Sequence, residues 1–483
     1  MRYLALCCDY DGTLAHDGTV SATTRAALER CVASGRRLLL VTGRELPELK
    51  QVCNCLELFA CVVAENGALL YHPDTGEERV LASPVSERFV RQLRERGVAP
   101  LSTGRVIVAT WEPHQATVLD TIKDLGLELQ VIFNKGAVMV LPAGVNKASG
   151  LAQALEALGL SAHNAVAVGD AENDQAFLRA CECGVAVANA LPSLKDTADF
   201  VTRATHGDGV QELIEELVAS DLAARESRLA RHHVLLGHDI HGEPVSMSPY
   251  DTHLLLLDAS GSGKSPLANG VLERLAQGRY SYCMLDPEGD FDALPGAVLL
   301  GTAERAPSTD EVLELLAKPL ESALVNLAAL PAHARAEFFL RLLPLLTALR
   351  ERSGRPHWIV LARSEQLLPA DTRHGFAWRP RLLHSLMQIT AHPARLAPHV
   401  LADAGIVVAL GERRRELLTE LGARLEQSEM RLQDPVVGAD ALVWQPGRSP
   451  EPQALSVAES HTRAPDQISR AAARARRAAR RPR

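Results

Sequence analysis

YLALCCDYDGTL (residues 3–14) reads as an apolar strand that runs directly into two carboxylates, Asp9 and Asp11, and then into a glycine suited to a tight turn, Gly12. Positions i and i+2 of a strand share a face. Both acids can therefore converge just past its carboxyl end, where open α/β sheets bind ligands. One carboxylate can attack phosphorus while the other handles a proton, and an aspartyl-phosphate intermediate splits a difficult hydrolysis into two easier displacements. Taken alone, the same stretch also reads as two acids decorating a surface turn.

Working outward, strands and helices alternate. A helix from Ser21 to Ser34 is closed by Gly35, and RRLLLVTG (36–43) and ACVVAENG (60–67) follow as strands. After a different stretch from Leu69 to Pro142, the alternation resumes with a helix near Lys147, the strand NAVAVGD (164–170), a helix from Glu172 and the strand GVAVAN (184–189). This pattern predicts a Rossmann-like α/β parallel sheet interrupted by an inserted segment.

Three more clusters sit at the predicted strand ends. Thr42 and Gly43 offer a hydroxyl and a backbone N–H to a phosphoryl oxygen. Lys147 opens a helix, where an ammonium can offset the charge that builds on a transferring phosphoryl group. In VAVGDAENDQAF (166–177), Asp170 and Asp174 bracket a turn and supply hard oxygen ligands suited to Mg²⁺. Each has a plainer use: Thr-Gly after a strand is common, most lysines are solvated, and acids at a helix start complement its dipole.

Together these four pieces resemble the haloacid dehalogenase superfamily, in its Cof-like and sugar-phosphate phosphatase branch, over residues 1–215. Glu65, Asn66 and Gly67 and the phrase GVAVANALPSLKDTADFVT extend the resemblance. It implies that Asp9 is the nucleophile and Asp11 the general acid and base, and that Thr42 and Lys147 hold the phosphoryl group. It also implies Mg²⁺ bound by Asp9, the backbone carbonyl of Asp11 and Asp170, with Asp174 in support and Asn173 fixing the loop. The insert would be an α/β cap that covers the site and selects a small phosphorylated metabolite, a sugar or polyol phosphate by family expectation. Arg44, His114 and Lys135 are candidate substrate contacts, though such residues more often face solvent.

At 483 residues the chain is too long for one hydrophobic core. With 47% hydrophobic and 23% charged residues it has the composition of a folded globular protein. Asp9 and Asp11 interrupt the only early apolar run, so no signal peptide is read, and no stretch is long and apolar enough for a membrane span. A cytoplasmic protein that keeps off membranes is expected, with its nine cysteines reduced and mostly buried. The pairs Cys53/Cys55 and Cys181/Cys183 are spaced too closely for an ordinary zinc site.

In the second half, THLLLLDASGSGKSPLANGVLERL (252–275) reads as strand, Gly-rich loop and helix, with Gly261, Gly263, Lys264 and Ser265 as candidate nucleotide-binding residues. Asp258 stands where the phosphate-cradling pattern wants its first glycine. Residues 233–412 resemble the HerA and FtsK group of DNA-translocating ATPases. In HWIVLARSEQLLP (357–369), however, Ala362 and Arg363 occupy the positions of that group's acidic pair. Losing both acids removes the anchor for Mg²⁺ and the group that orients water, so weak or no nucleotide binding, without hydrolysis, is expected. Glu365, Asp286 and Glu288 are the available substitutes.

The tail from Arg470 to Arg483 has seven arginines and no acid, which suits either a solvated terminus or salt-dependent contacts with nucleic-acid phosphates. The domains so predicted are a phosphatase core at 1–68 and 143–220, a cap at 69–142, a degenerate P-loop-like domain at 233–450 and a basic disordered tail at 451–483. The competing reading is a nucleotide-sensing or assembly protein in which the second half binds nucleotide or a partner.

Overall fold

The computed structural model describes residues 1–258, 265–370, 385–425, 432 and 440–460, and the chain divides into two compact units, Met1–Ala230 and Arg231–Arg483. The first unit opens with β1 (Ala5–Cys8), α1 (Ala22–Ala33), β2 (Arg37–Val41), α2 (Leu46–Val52) and β3 (Phe59–Ala64). Ser21 caps α1 by accepting a hydrogen bond from the Thr24 N–H. Strands β1 and β2 are parallel, and Leu38, Leu39 and Leu40 are fully buried because helices cover both faces. Each such leucine contributes roughly 2 kcal/mol through removal from water.

The chain then doubles back through β4 (Leu69–His72) and β5 (Glu77–Val80), which pair antiparallel with the edge of the same sheet. This corrects the predicted start of the insert. Residues 69–80 belong to the core sheet, because the turn at Glu65–Gly67, with Asn66 at φ 54°, folds β4 back against β3. The inserted lid follows as α3 (Glu87–Glu95), β6 (Ser102–Thr103), β7 (Val108–Trp111), α4 (Gln115–Leu125), β8 (Leu129–Asn134) and β9 (Ala137–Pro142). Its four strands run in the order β6-β7-β9-β8, with a small core of their own that includes Phe89, Leu93, Val118 and Val138.

The core resumes with α5 (Lys147–Ala157), β10 (Ala165–Gly169), α6 (Gln175–Ala180), β11 (Cys183–Ala186), α7 (Pro192–Lys195), β12 (Phe200–Val201) and α8 (His206–Ser220). The eight-stranded order β12-β11-β10-β1-β2-β3-β4-β5 places β1 beside β10, so the carboxyl ends of β1, β2 and β10 face one crevice. Residues up to Ala230 stay with this unit. The Arg225 guanidinium pairs with Glu216 at 2.8 Å, and Glu226 pairs with Arg2. All nine cysteines are free thiols, and eight are buried.

The second unit comprises β13 (Val234–His238), β14 (Pro244–Met247), β15 (His253–Asp258), α9 (Pro266–Gln277), β16 (Tyr282–Asp286), β17 (Ala297–Leu300), α10 (Thr309–Ala317) and β18 (Ser322–Asn326). It continues with α11 (Ala332–Ser353), β19 (Trp358–Leu361), β20 (Leu386–Thr390), α12 (Pro398–Leu401), β21 (Ile406–Leu410), α13 (Arg414–Arg424), β22 (Ala441–Trp444) and β23 (Gln453–Val457). Seven strands, β21-β15-β20-β19-β16-β18-β17, form a parallel sheet, and β22, β23, β13 and β14 extend it antiparallel. Strand β23 corrects the predicted tail, since Ala454 and Leu455 are buried against β22. Among the described residues no helix is long and apolar enough to cross a membrane.

Candidate active site

Strand β1 delivers Asp9 to the crevice with its backbone N–H bonded to the Val168 carbonyl of β10 at 3.0 Å. Asp9 is 4% exposed. Lys147, the first residue of α5, is held there by a capping box in which the Asn146 side chain accepts from the Ser149 N–H and the Ser149 hydroxyl bonds back to Asn146. The buried Lys147 ammonium donates to Asp9 Oδ1 and to Asp174 Oδ1, both at 2.6 Å. Asp174 Oδ2 accepts the N–H groups of Asp170 and Ala171 at 2.9 Å, so Asp174 fixes both the lysine and the loop after β10.

Asp170 is fully buried, accepts from the Thr13 hydroxyl at 3.3 Å and pairs with the Lys135 ammonium. Gly12, at φ 85°, passes so close that a Cβ there would overlap the Asp170 carboxylate, which is why glycine ends the first motif. Thr42 accepts from the Arg44 N–H at 3.1 Å through its Oγ1, leaving its O–H to donate outward. Met139 of the lid packs over Gly43, its Sδ 3.3 Å from where a Cβ would stand. Asn173 donates to Asn66 Oδ1 at 3.0 Å, tying the β10 loop to the turn after β3.

Ligand-atom positions on Asp9, Asp170 and Asp174 lie within 4.8 Å of one another. Burial, reinforced by Asp174 and opposed by Lys147, pushes Asp9 up to about 8, and burial also raises Asp170. Burial works against the Lys147 charge, but Asp174 and Asp9 more than offset it and hold its pKa above the ordinary lysine value. Three buried carboxylates facing one buried ammonium carry excess negative charge, so one of them gains protons. Hard oxygens in that imbalance fit a divalent cation such as Mg²⁺.

The other candidates lie elsewhere. Asp11 points its carboxylate at Arg44, which donates to both oxygens at 2.6 and 2.7 Å. His114 begins α4 with Nε2 3.0 Å from the Ala99 carbonyl, so it belongs to the lid's own structure. Lys135 is the lid residue that reaches the core carboxylates.

The sequence did not reveal the work of Glu65. Its buried carboxylate accepts the N–H groups of Arg105 and Val106 at 2.8 Å and of Ile107 at 3.1 Å, clamping a lid loop to the core. Asn189 was likewise missed: it donates to the Gly12 carbonyl at 2.8 Å and accepts from the His206 N–H at 2.7 Å.

In the second unit, Gly261, Gly263 and Lys264 lie outside the described residues. Ser265 caps α9 through the Ala268 N–H at 3.4 Å. Arg363, at φ 45° after β19, pairs with Asp290 at 2.9 Å and Glu288 at 3.2 Å. Each proposed substitute acid is engaged. Asp286 accepts from the Gly289 and Phe291 N–H groups at 3.1 and 2.8 Å, Glu288 accepts from Gln366 at 2.7 Å, and Glu365 accepts from Thr390 at 2.7 Å.

The haloacid dehalogenase-like hydrolase family model matches residues 6–99 and 103–214, wholly within the first unit. A phosphoglycolate phosphatase of Methanothermobacter thermautotrophicus is 33% identical over 227 residues, which is 45% of this chain and 99% of that relative. The chain belongs to the haloacid dehalogenase-like hydrolases. This hydrolase is also 28% identical over 219 residues to phosphoglycolate phosphatase 2 of Saccharolobus solfataricus, covering 44% of this chain and 91% of that one. A solved haloacid dehalogenase-like hydrolase from Bacteroides thetaiotaomicron aligns at a TM-score of 0.39 and 20% identity, over 44% of this chain and 99% of its own. The hydrolase is a phosphoric monoester hydrolase of the haloacid dehalogenase type.

Proposed function

We propose that this hydrolase cleaves a small phosphate monoester in a Mg²⁺-dependent reaction, with Asp9 attacking phosphorus to form an aspartyl-phosphate. The observation that carries this reading is the buried Asp9 carboxylate at a strand end, paired with Lys147 and flanked by Asp170 and Asp174. Lys147 orients Asp9 and opposes the charge that grows on the phosphoryl oxygens, while the Thr42 hydroxyl donates to one of them. Asp11 serves the leaving oxygen as acid and the attacking water as base, which requires it to leave Arg44. Asp9, the backbone carbonyl of Asp11 and Asp170 would hold Mg²⁺, with Asp174 in support; when bound, the ion neutralises charge on the phosphoryl group. Met139 and the clamped 104–107 loop would help the lid exclude water.

Relatives named as phosphoglycolate phosphatases favour a very small substrate over the sugar or polyol phosphates expected from the branch resemblance. For the second unit we favour a P-loop-like domain that has lost hydrolysis. Its support is a parallel strand, β15, leading through residues 259–264 into α9, together with Ala362 and Arg363 in the acidic positions. The reading places the protein in the cytoplasm. A role of the Arg-rich tail in binding nucleic acid rests on the sequence alone, because residues 461–483 lie outside those described. The test is a panel of phosphate monoesters with and without Mg²⁺, run beside Asp9→Asn. Turnover that survives in folded Asp9→Asn would refute the nucleophile.

A further inference from the structure

Three cations reach the carboxylates of this site, and their engagement differs. Lys147 is buried and bound to two carboxylates. Arg44 spends its guanidinium on both oxygens of Asp11 and on Glu48. Among the described residues, the Lys135 ammonium meets one carboxylate, that of Asp170, and its side chain is 46% exposed. An ammonium carries three donors, and the Lys135 side chain is more exposed than those of Arg44 and Lys147, so it keeps the most capacity toward solvent of the three.

Its position is built rather than incidental. Asn134 and Ala137 close the β8–β9 ladder, leaving Lys135 and Gly136 as a two-residue loop at φ 48° and 87°, the geometry of a type I′ hairpin. Asparagine or glycine suits the first position of that loop, and lysine there pays a left-handed backbone penalty. The hairpin tip carries the ammonium to the wall formed by Gly12 and Asp170. Asn189 continues this wall to His206, whose ring meets His16 edge-on at 4.5 Å. Burial, then His16, lowers the His206 pKa.

We propose that Lys135 is the specificity-determining residue through which the lid reads a carboxylate on the leaving group, making short phosphorylated hydroxy acids the preferred substrates. The proposal rests on the phosphatase reading above. A cation supplied by the lid meets the leaving group, whereas Lys147 of the core meets the phosphoryl group. Because Lys135 touches Asp170, which lies beside Asp9, phosphate and carboxylate can be separated by only a few bonds.

The experiment compares 2-phosphoglycolate with 2-hydroxyethyl phosphate, an analogue of equal length whose leaving group carries no charge, in the full chain at saturating Mg²⁺. Wild type should favour the acid by about tenfold to a hundredfold in kcat/KM, mostly through KM, as expected for a hydrogen bond between charged groups. Lys135→Met should collapse that ratio toward one, and Lys135→Arg should restore most of it. Calorimetry on the Asp9→Asn protein supplies a readout without turnover, in which 2-phosphoglycolate binds more tightly than 2-hydroxyethyl phosphate only while Lys135 is present. Equal use of both esters by wild type, or a preference that survives Lys135→Met, overturns the proposal. If wild type hydrolyses no ester at all, the phosphatase reading fails. Lys135 is then judged by binding to wild type, where equal or undetectable affinity for the two esters overturns it.

Discussion

The two units place strand ends of a parallel sheet at a polar crevice, yet their chemistry differs. In the first, Asp9, Asp170 and Asp174 cluster together, Asp9 and Asp174 sharing the buried Lys147 ammonium and Asp170 pairing with Lys135, which leaves three carboxylates against two cations. In the second, Arg363 stands after β19 and is neutralised by Asp290 and Glu288, while Asp286 and Glu365 accept local hydrogen bonds. Unbalanced buried charge has a use, because it binds a cation or activates a nucleophile. Charge satisfied internally only holds the fold. A shared architecture therefore says little about activity until the side chains at the strand ends are counted.

The contrast breaks most sharply at Asp9. Asp9→Asn should cut phosphate release by at least about a thousandfold. Its melting temperature should stay level or rise, because one of three crowded carboxylates loses its charge. A steep fall in melting temperature would show that Asp9 is structural. Next in size is Lys147→Met, which leaves Asp9 and Asp174 buried without their ammonium and should cost roughly 3 kcal/mol as well as activity. Denaturant midpoints measure the first effect and phosphate release the second.

Charge imbalance also sets a pH dependence. The folded pKa of Asp9 is raised to about 8 from an ordinary 3.8 by burial and the neighbouring Asp174. Its contribution to stability is therefore complete below the unfolded value and is lost as pH rises through about 8. Metal-free protein should melt progressively lower between those limits, Asp9→Asn should flatten that part of the slope, and Mg²⁺ should stabilise more at the alkaline end. A wild-type slope identical to that of the variant would remove Asp9 from the account. The smallest expected signal is in the second unit, where ATP titrated into the full chain should bind weakly or not at all, with hydrolysis at background. Hydrolysis that vanishes in Lys264→Ala would erase the contrast between the units.

Much of the candidate site was legible because its residues sit where local patterns end. Asp9, Thr42 and Asp170 each follow an apolar strand, and Lys147 starts a helix, so period and punctuation locate them. Glu65 was visible only as part of a phrase, since its partners are backbone N–H groups of residues 105–107, which no side-chain pattern marks. The insert boundary was misjudged for a related reason. Residues 69–80 offer only a short apolar run, a turn and a charged run, and nothing in that pattern says which sheet they join.

The sequence by itself determined the parallel α/β core of the first unit and the order of its motifs, because these depend on residue type and on spacing along the chain. Only the tertiary structure decided that Asp11 turns to Arg44, that Asp174 braces Lys147 and that the lid sends Lys135 to Asp170. Those pairings join residues 27 to 35 positions apart, and their choice of partner follows from which loops the folded sheet brings to the same edge.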